Sequence, residues 1–113
     1  MTYAVYPSLA DKTVVVTGGG SGIGAEIVAG FVRQKSRVFF LDIAEQASRS
    51  LVDRLDGAAE YLHCDLTDLD ALHATLARIE SQAGPVHALV NNAANDDRHA
   101  LEDITPAYWE ERL

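Results

Sequence analysis

Apolar and polar positions along the chain alternate between two kinds of segment. Lys12–Thr17 (KTVVVT) is a short β-branched run ahead of a glycine cluster, the pattern of a strand buried on both faces. Behind the glycines, Ile23, Ile27, Val28, Phe31 and Val32 recur at spacings of three and four, which predicts a helix. Arg37–Asp42 (RVFFLD) predicts a second strand, and Ala44–Leu55 a second helix with Ala44, Ala47, Leu51 and Leu55 on one stripe. Glu60–Cys64 predicts a third strand. A third helix opens at Thr67 or Asp68, buries Leu69, Leu72, Leu76 and Ile79, and stops at Gly84-Pro85. Val86–Val90 is a fourth apolar run. Thr105-Pro106 pairs an N-cap residue with a first-turn proline, and opens a fourth helix that has only begun at Leu113.

The order is βαβαβαβ and part of an α. Strands separated by helical crossovers pair in parallel, so the expected fold is α/β, a doubly wound parallel sheet. Such a sheet has about six strands when complete, and only four are predicted here. The expectation is one domain over residues 1–113, incomplete and cut within its fourth helix.

Composition narrows the class. Of 113 residues, 48% are hydrophobic and 23% charged, as in an ordinary globular domain and unlike a disordered tail. The apolar runs extend only a few residues, too short to span a bilayer. The first residues, MTYAVYPSLADK, have neither the basic region nor the apolar stretch of a secretory signal. One cysteine, Cys64, excludes an intramolecular disulfide and a cysteine-rich zinc site. A cytoplasmic location is expected. The formal charge of −8 is uneven: residues 1–41 hold four Lys/Arg against two Asp/Glu, and residues 42–113 five against fifteen. That acidic surface repels phosphate backbones, so nucleic acid is not an expected partner, and neither is a membrane.

Five of the eight glycines fall in residues 18–24: Gly18, Gly19, Gly20, Gly22 and Gly24. Each costs about 0.5–1 kcal/mol of backbone entropy relative to alanine, so the cluster needs a reason. Its place between the first strand and first helix supplies one. A turn without Cβ atoms lets a pyrophosphate approach the backbone, and the helix N-terminus turns its free N–H groups toward the charge. The competing reading is a flexible loop that binds nothing. Asp42 stands at the end of the second strand, 20 residues after Gly22. In a dinucleotide site its carboxylate accepts hydrogen bonds from the adenosine ribose hydroxyls and repels a 2′-phosphate, and Ile43 beside it carries no cation. This favours NAD over NADP. The alternative is that Asp42 only caps the next helix.

Thr17-Gly18-Gly19-Gly20-Ser21-Gly22-Ile23-Gly24 spells T-G-x-x-x-G-x-G, which resembles the short-chain dehydrogenase/reductase family rather than the general G-x-G-x-x-G. Cys64-Asp65-Leu66 after the third strand and Asn91-Asn92-Ala93-Ala94 after the fourth agree with it, although Ala94 stands where the family usually has glycine. The resemblance implies a Rossmann-type domain and an NAD-dependent oxidoreductase acting on a small-molecule alcohol or ketone. It places Gly18, Ser21, Gly22, Ile23 and Gly24 on the pyrophosphate, and Asp65 and Leu66 at the adenine edge. The turn of Asn91, Asn92 and Ala93 would lie against the ribose and brace the sheet. Asn95-Asp96-Asp97-Arg98-His99 is similar to some sugar-dehydrogenase members. The alternative for the asparagines is an ordinary turn.

The family's catalytic serine, tyrosine and lysine carry the signature Tyr-x-x-x-Lys. Ser8 stands four residues before Lys12 and Phe31 four before Lys35, so neither of the two lysines completes it. Tyr108-x-x-x-Arg112 is the nearest match, but arginine stays protonated, and the pair reads as a packing face with Trp109. No catalytic residue is therefore expected in this chain, which reads as the cofactor-binding half of a dehydrogenase, inactive alone. His63, His73, His87 and His99 have no metal-ligand spacing, and no metal site is expected. The alternative is a nucleotide-binding remnant without catalysis, or a module completed by a partner. With the second half absent, the fourth strand would be an unpaired apolar edge, so self-association, a homo-oligomer above all, is the expected behaviour. In size-exclusion chromatography the chain should elute above monomer size or melt at low temperature; a sharp monomer peak with a cooperative melt would contradict this.

Overall fold

Val14, Val15 and Val16 are wholly shielded from solvent, which only a strand covered on both faces allows. They lie in β1 (Thr13–Thr17), the first element after a short 3-10 turn at Pro7–Leu9. The computed structural model describes residues 4–92. After β1 come α1 (Gly22–Arg33), β2 (Arg37–Asp42), α2 (Glu45–Arg54), β3 (Ala59–His63), α3 (Leu69–Ala83) and β4 (Ala88–Asn91). The four strands form one parallel sheet in the order β3-β2-β1-β4. The doubly wound α/β class is thus borne out. The helix expected after Thr105-Pro106, with Tyr108, Trp109 and Arg112, lies outside the described residues, as does Ala93.

Period-two alternation sorts the strand side chains onto two faces. Val15, Phe39, Leu41 and Leu62 pack against Leu72, Leu76 and Ile79 of α3. Val14, Val16, Val38, Phe40 and Ala59 pack against Ala25 and Val28 of α1 and Leu51 of α2. One sheet therefore serves two cores, with α1 and α2 on one face and α3 on the other, because the strands face both ways.

Most element ends agree with the pattern to within two residues, and the differences have local causes. Asp68 caps α3, its carboxylate accepting the Ala71 N–H at 3.1 Å, while Thr67 turns back to Asp65 instead. Gly84, at φ +83°, ends that helix. Ala44, expected on the packing stripe, is the exposed N-cap of α2, and Ser48 occupies the buried position. The fourth strand starts at Ala88 rather than Val86, since Val86 tucks into the α3-side core. Among the described residues β4 pairs only with β1.

Leu72, with no exposed surface, is a member of the α3-side core. Leu72→Ala should lower unfolding stability by about 2–5 kcal/mol in denaturant melts; a loss well under 1 kcal/mol would contradict this packing.

Candidate functional site

The chain builds its sheet outward from β1 through β2 to β3, then returns to the far side of β1 for β4. The crevice beyond the carboxyl ends of β1 and β4 is therefore the point where the winding reverses, and doubly wound sheets bind ligands there. Both sequence motifs end at this crevice: the glycine turn follows β1, and Asn91-Asn92 follows β4.

Within the turn the glycines do different jobs. Gly22 has φ +58°, and a Cβ on it would meet no protein atom within 4 Å, so it opens α1 onto free space. A Cβ on Gly24 would strike the Gly18 carbonyl oxygen and stand 2.6 Å from Asn92 Nδ2. Only hydrogen fits between them. Ser21 is the N-cap of α1 and makes no side-chain cap bond, so the first amides of the helix have no partner from it. Ile23 was expected in the apolar stripe but is 73% exposed, because it lies in the first turn beside this opening. The rest of the expected stripe holds: Val28 is buried with Gly24 and Ala25, and Ile27, Phe31 and Val32 pack half-buried against the same core.

Asp42 ends β2 within reach of the turn. Its Oδ2 accepts the Gly20 N–H at 2.9 Å, and its Oδ1 accepts the Ala44 N–H at 2.9 Å. The second bond spans two residues and forms an aspartate turn. It falls on the N-cap residue Ala44 itself rather than on an amide inside the first turn, so Asp42 precedes the N-cap of α2 and does not occupy it. A carboxylate offers about four lone-pair sites, so about two stay available for ligand hydroxyls. Ile43 next to it is 61% exposed and brings no charge.

Asn91 and Asn92 are tied to β1. The Thr17 hydroxyl donates to Asn91 Oδ1 at 2.9 Å, and the Asn92 N–H reaches Thr17. Asn92 Nδ2 donates to the Gly18 carbonyl at 3.2 Å. Thr17 and Asn92 thus hold the two motifs in register, a role the motif spelling includes but does not explain. Asp65, exposed after β3, accepts both the hydroxyl (2.7 Å) and the N–H (2.9 Å) of Thr67 on Oδ1. Those two bonds, the hydroxyl first, hold its carboxyl below the ordinary aspartate range. Leu66 is half-buried against the α3-side core. Burial pushes the Cys64 thiol up, so it stays protonated within the core. Among the described residues no three His, Cys, Asp or Glu side chains gather as a metal-binding group. A groove of about 460 Å³ along α2 and β3, lined by Arg49, Asp53, Gly57, Glu60 and Tyr61, shares no residue with either motif.

The family profile described as short chain dehydrogenase matches residues 12–113. The chain belongs to the short-chain dehydrogenase family. It is 54% identical over its whole length to D-xylose 1-dehydrogenase of Caulobacter vibrioides, and covers 45% of that protein. It is 44% identical to a probable galactose dehydrogenase of Rhizobium meliloti, with 96% of this chain and 44% of that protein aligned. Among solved structures, a hydroxysteroid dehydrogenase from Escherichia coli superposes with a TM-score of 0.71 at 34% identity, over 77% of this chain and 38% of that one. A short-chain type dehydrogenase/reductase from Mycobacterium ulcerans gives 0.73 at 26% identity, over 84% and 40%. The chain spans under half the length of these short-chain dehydrogenase relatives. Among the described residues no helix is long and apolar enough to cross a membrane.

Asp65 gives a pH prediction. Its folded pKa is depressed, so the unfolded chain takes the proton first as pH falls, and the stability its bonds contribute is lost as pH drops through the folded value. In Thr67→Val the Asp65 titration, followed by NMR, should move up toward the ordinary carboxylate range; an unchanged titration would contradict the assignment.

Proposed function

We propose that the chain is the dinucleotide-binding part of an NAD-dependent sugar dehydrogenase. The observation that carries the dinucleotide reading is Asp42, fixed by two backbone N–H groups at the end of β2 with lone pairs left for a ligand. The residues fit the group. Gly22 leaves open space where a pyrophosphate would lie, the first amides of α1 supply its hydrogen bonds, and Asp42 suits ribose hydroxyls. Gly18, Ser21, Ile23 and Gly24 would complete the pyrophosphate cradle. Asp65 and Leu66 would face the adenine, and Asn91 and Ala93 the ribose. Asp42 would repel a 2′-phosphate, which favours NAD over NADP.

When bound, the nicotinamide takes the hydride that leaves the substrate carbon as an alcohol is oxidised. This chain's residues would bind and orient that cofactor. The proton of the substrate hydroxyl would pass to a catalytic tyrosine of the Tyr-x-x-x-Lys type, which this sequence does not contain, so the 113 residues alone are proposed to be inactive. The sugar substrate is supported by the names of the xylose and galactose dehydrogenases it resembles. A cytoplasmic location goes with use of the cellular NAD pool, and a homo-oligomer would cover the side of β4 that has no partner among the described residues. The second reading, a nucleotide-binding remnant, shares the same site and differs only in lacking turnover.

Calorimetric titration tests the cofactor assignment. Asp42→Ala should weaken NADH binding about 10- to 100-fold, the range for hydrogen bonds to a charged group, and narrow the gap to NADPH. Gly22→Asn tolerates the positive φ but fills the open space, and should weaken both dinucleotides. Equal affinity in wild type and both variants would remove the cradle.

A further inference from the structure

Behind Asp42 lie polar side chains that the cofactor reading does not use. Tyr61 faces Phe40 across the β2–β3 ladder, with ring centroids 5.4 Å apart, and the Arg49 guanidinium stands 6.0 Å over the Tyr61 ring. From this seat the phenol reaches along β2 and donates to the Asp42 carbonyl oxygen at 2.9 Å. The same oxygen accepts the Cys64 N–H at a longer 3.2 Å. Ser48 Oγ is fully buried beside the phenol, and its proximity tempers the upward shift of the Tyr61 pKa. A Cβ on Gly20 would strike Ser48 Oγ and come within 2.9 Å of Asp42 Oδ2.

Asp42 is thus held from both sides, its carboxylate by Gly20 and Ala44 and its peptide by Tyr61 and Cys64. We infer that Tyr61 is a positioning residue for Asp42, and that its hydroxyl sets how sharply the site separates a ribose 2′-hydroxyl from a 2′-phosphate. The inference rests on the dinucleotide reading above.

The geometry explains why one bond matters there. The β2–β3 ladder ends with the pair Asp42 and His63, so beyond it the backbone has lost its regular restraint. The peptide joining Asp42 to Ile43 leads directly to the Ala44 N–H that closes on Oδ1. Turning that peptide moves the carboxylate and one of its two anchors together. Of the two donors on the Asp42 carbonyl, the phenol is the closer. Burial, with the charges of Glu45 and Asp42, pushes the Tyr61 pKa above its ordinary value, so the hydroxyl keeps its proton at neutral pH and goes on donating. Phenylalanine would keep the ring against Phe40 and Arg49 and delete the bond to the Asp42 carbonyl. Ser48→Ala removes the hydroxyl that neighbours the phenol but leaves the bond to the Asp42 carbonyl in place, and separates loss of that bond from repacking.

The test is calorimetric titration of the chain with NAD⁺ and with NADP⁺, for wild type, Tyr61→Phe and Ser48→Ala, alongside thermal melts. Tyr61→Phe should bind NAD⁺ about three- to ten-fold more weakly, the range for one neutral hydrogen bond. Its NADP⁺ affinity should be unchanged, so the preference ratio falls by the same factor, and Ser48→Ala should leave the ratio as in wild type. Unchanged NAD⁺ binding in Tyr61→Phe, or equal weakening toward both dinucleotides, would overturn the positioning role while wild-type binding keeps the cofactor reading intact. Loss of the cooperative melt in Tyr61→Phe would also overturn it, since the hydroxyl would then be a folding contact. A wild type that binds neither dinucleotide would remove the cofactor reading and this inference with it.

Discussion

The Gly18 carbonyl oxygen accepts the Asn92 side-chain amide at 3.2 Å and lies against the α-carbon of Gly24. Three elements meet at that atom: the turn after β1, the first turn of α1 and the end of β4. With Gly24 lacking a side chain, α1 starts almost in contact with the strand end, and its first amides, which Ser21 does not cap, sit over the crevice. With Asn92 bonded to the turn, β4 is locked in register with β1 at the place where the winding reverses. Any larger group at Gly24 would push the helix from the sheet and open the crevice. The Thr17 hydroxyl repeats the tie one residue earlier, to Asn91 and to the Asn92 N–H.

Asp42 depends on this arrangement because Gly20 belongs to the same turn. Its carboxylate can take the Gly20 N–H only if that residue passes close over β2, and a side chain on Gly20 would collide with Ser48 and with the carboxylate itself. The glycine turn and the end of β2 are therefore one mechanical unit. The two cores support it from either face: Phe40 and Leu51 lie beneath Tyr61 and α2, and Leu41 and Leu62 back the sheet toward α3. The segment before β1 is held separately, by Gln34, whose amide bonds the Ala4 carbonyl and the Tyr6 N–H at 2.7 Å each.

Much of this was legible in the sequence, for identifiable reasons. β-branched runs and three-four spacing are local signals, so the strands at Thr13–Thr17 and Arg37–Asp42 and the stripe of Leu72, Leu76 and Ile79 stand where the pattern puts them. Gly18, Gly22 and Asp42 were legible because turn chemistry and strand-end position restrict residue type. Partnerships between distant segments were not. Nothing local says that Asn92 bonds Gly18, or that Tyr61, which reads only as an apolar strand residue, turns its hydroxyl onto the Asp42 carbonyl. Ile23 misled for a related reason: helical spacing counts it as core, but the core does not extend to the first turn of α1, where the crevice opens.

The central claim is that the glycine turn, Asp42 and Asn91-Asn92 form one dinucleotide cradle. Amide chemical-shift mapping of ¹⁵N-labelled chain during NAD⁺ titration tests it most directly. The amides of Gly22, Ile23, Gly24, Ile43, Asp65 and Asn92 should shift together and saturate at one concentration, while Val52, Gly57 and Glu60 in the α2–β3 groove stay fixed. Saturable shifts centred on that groove, or none at the glycine turn, would contradict the account.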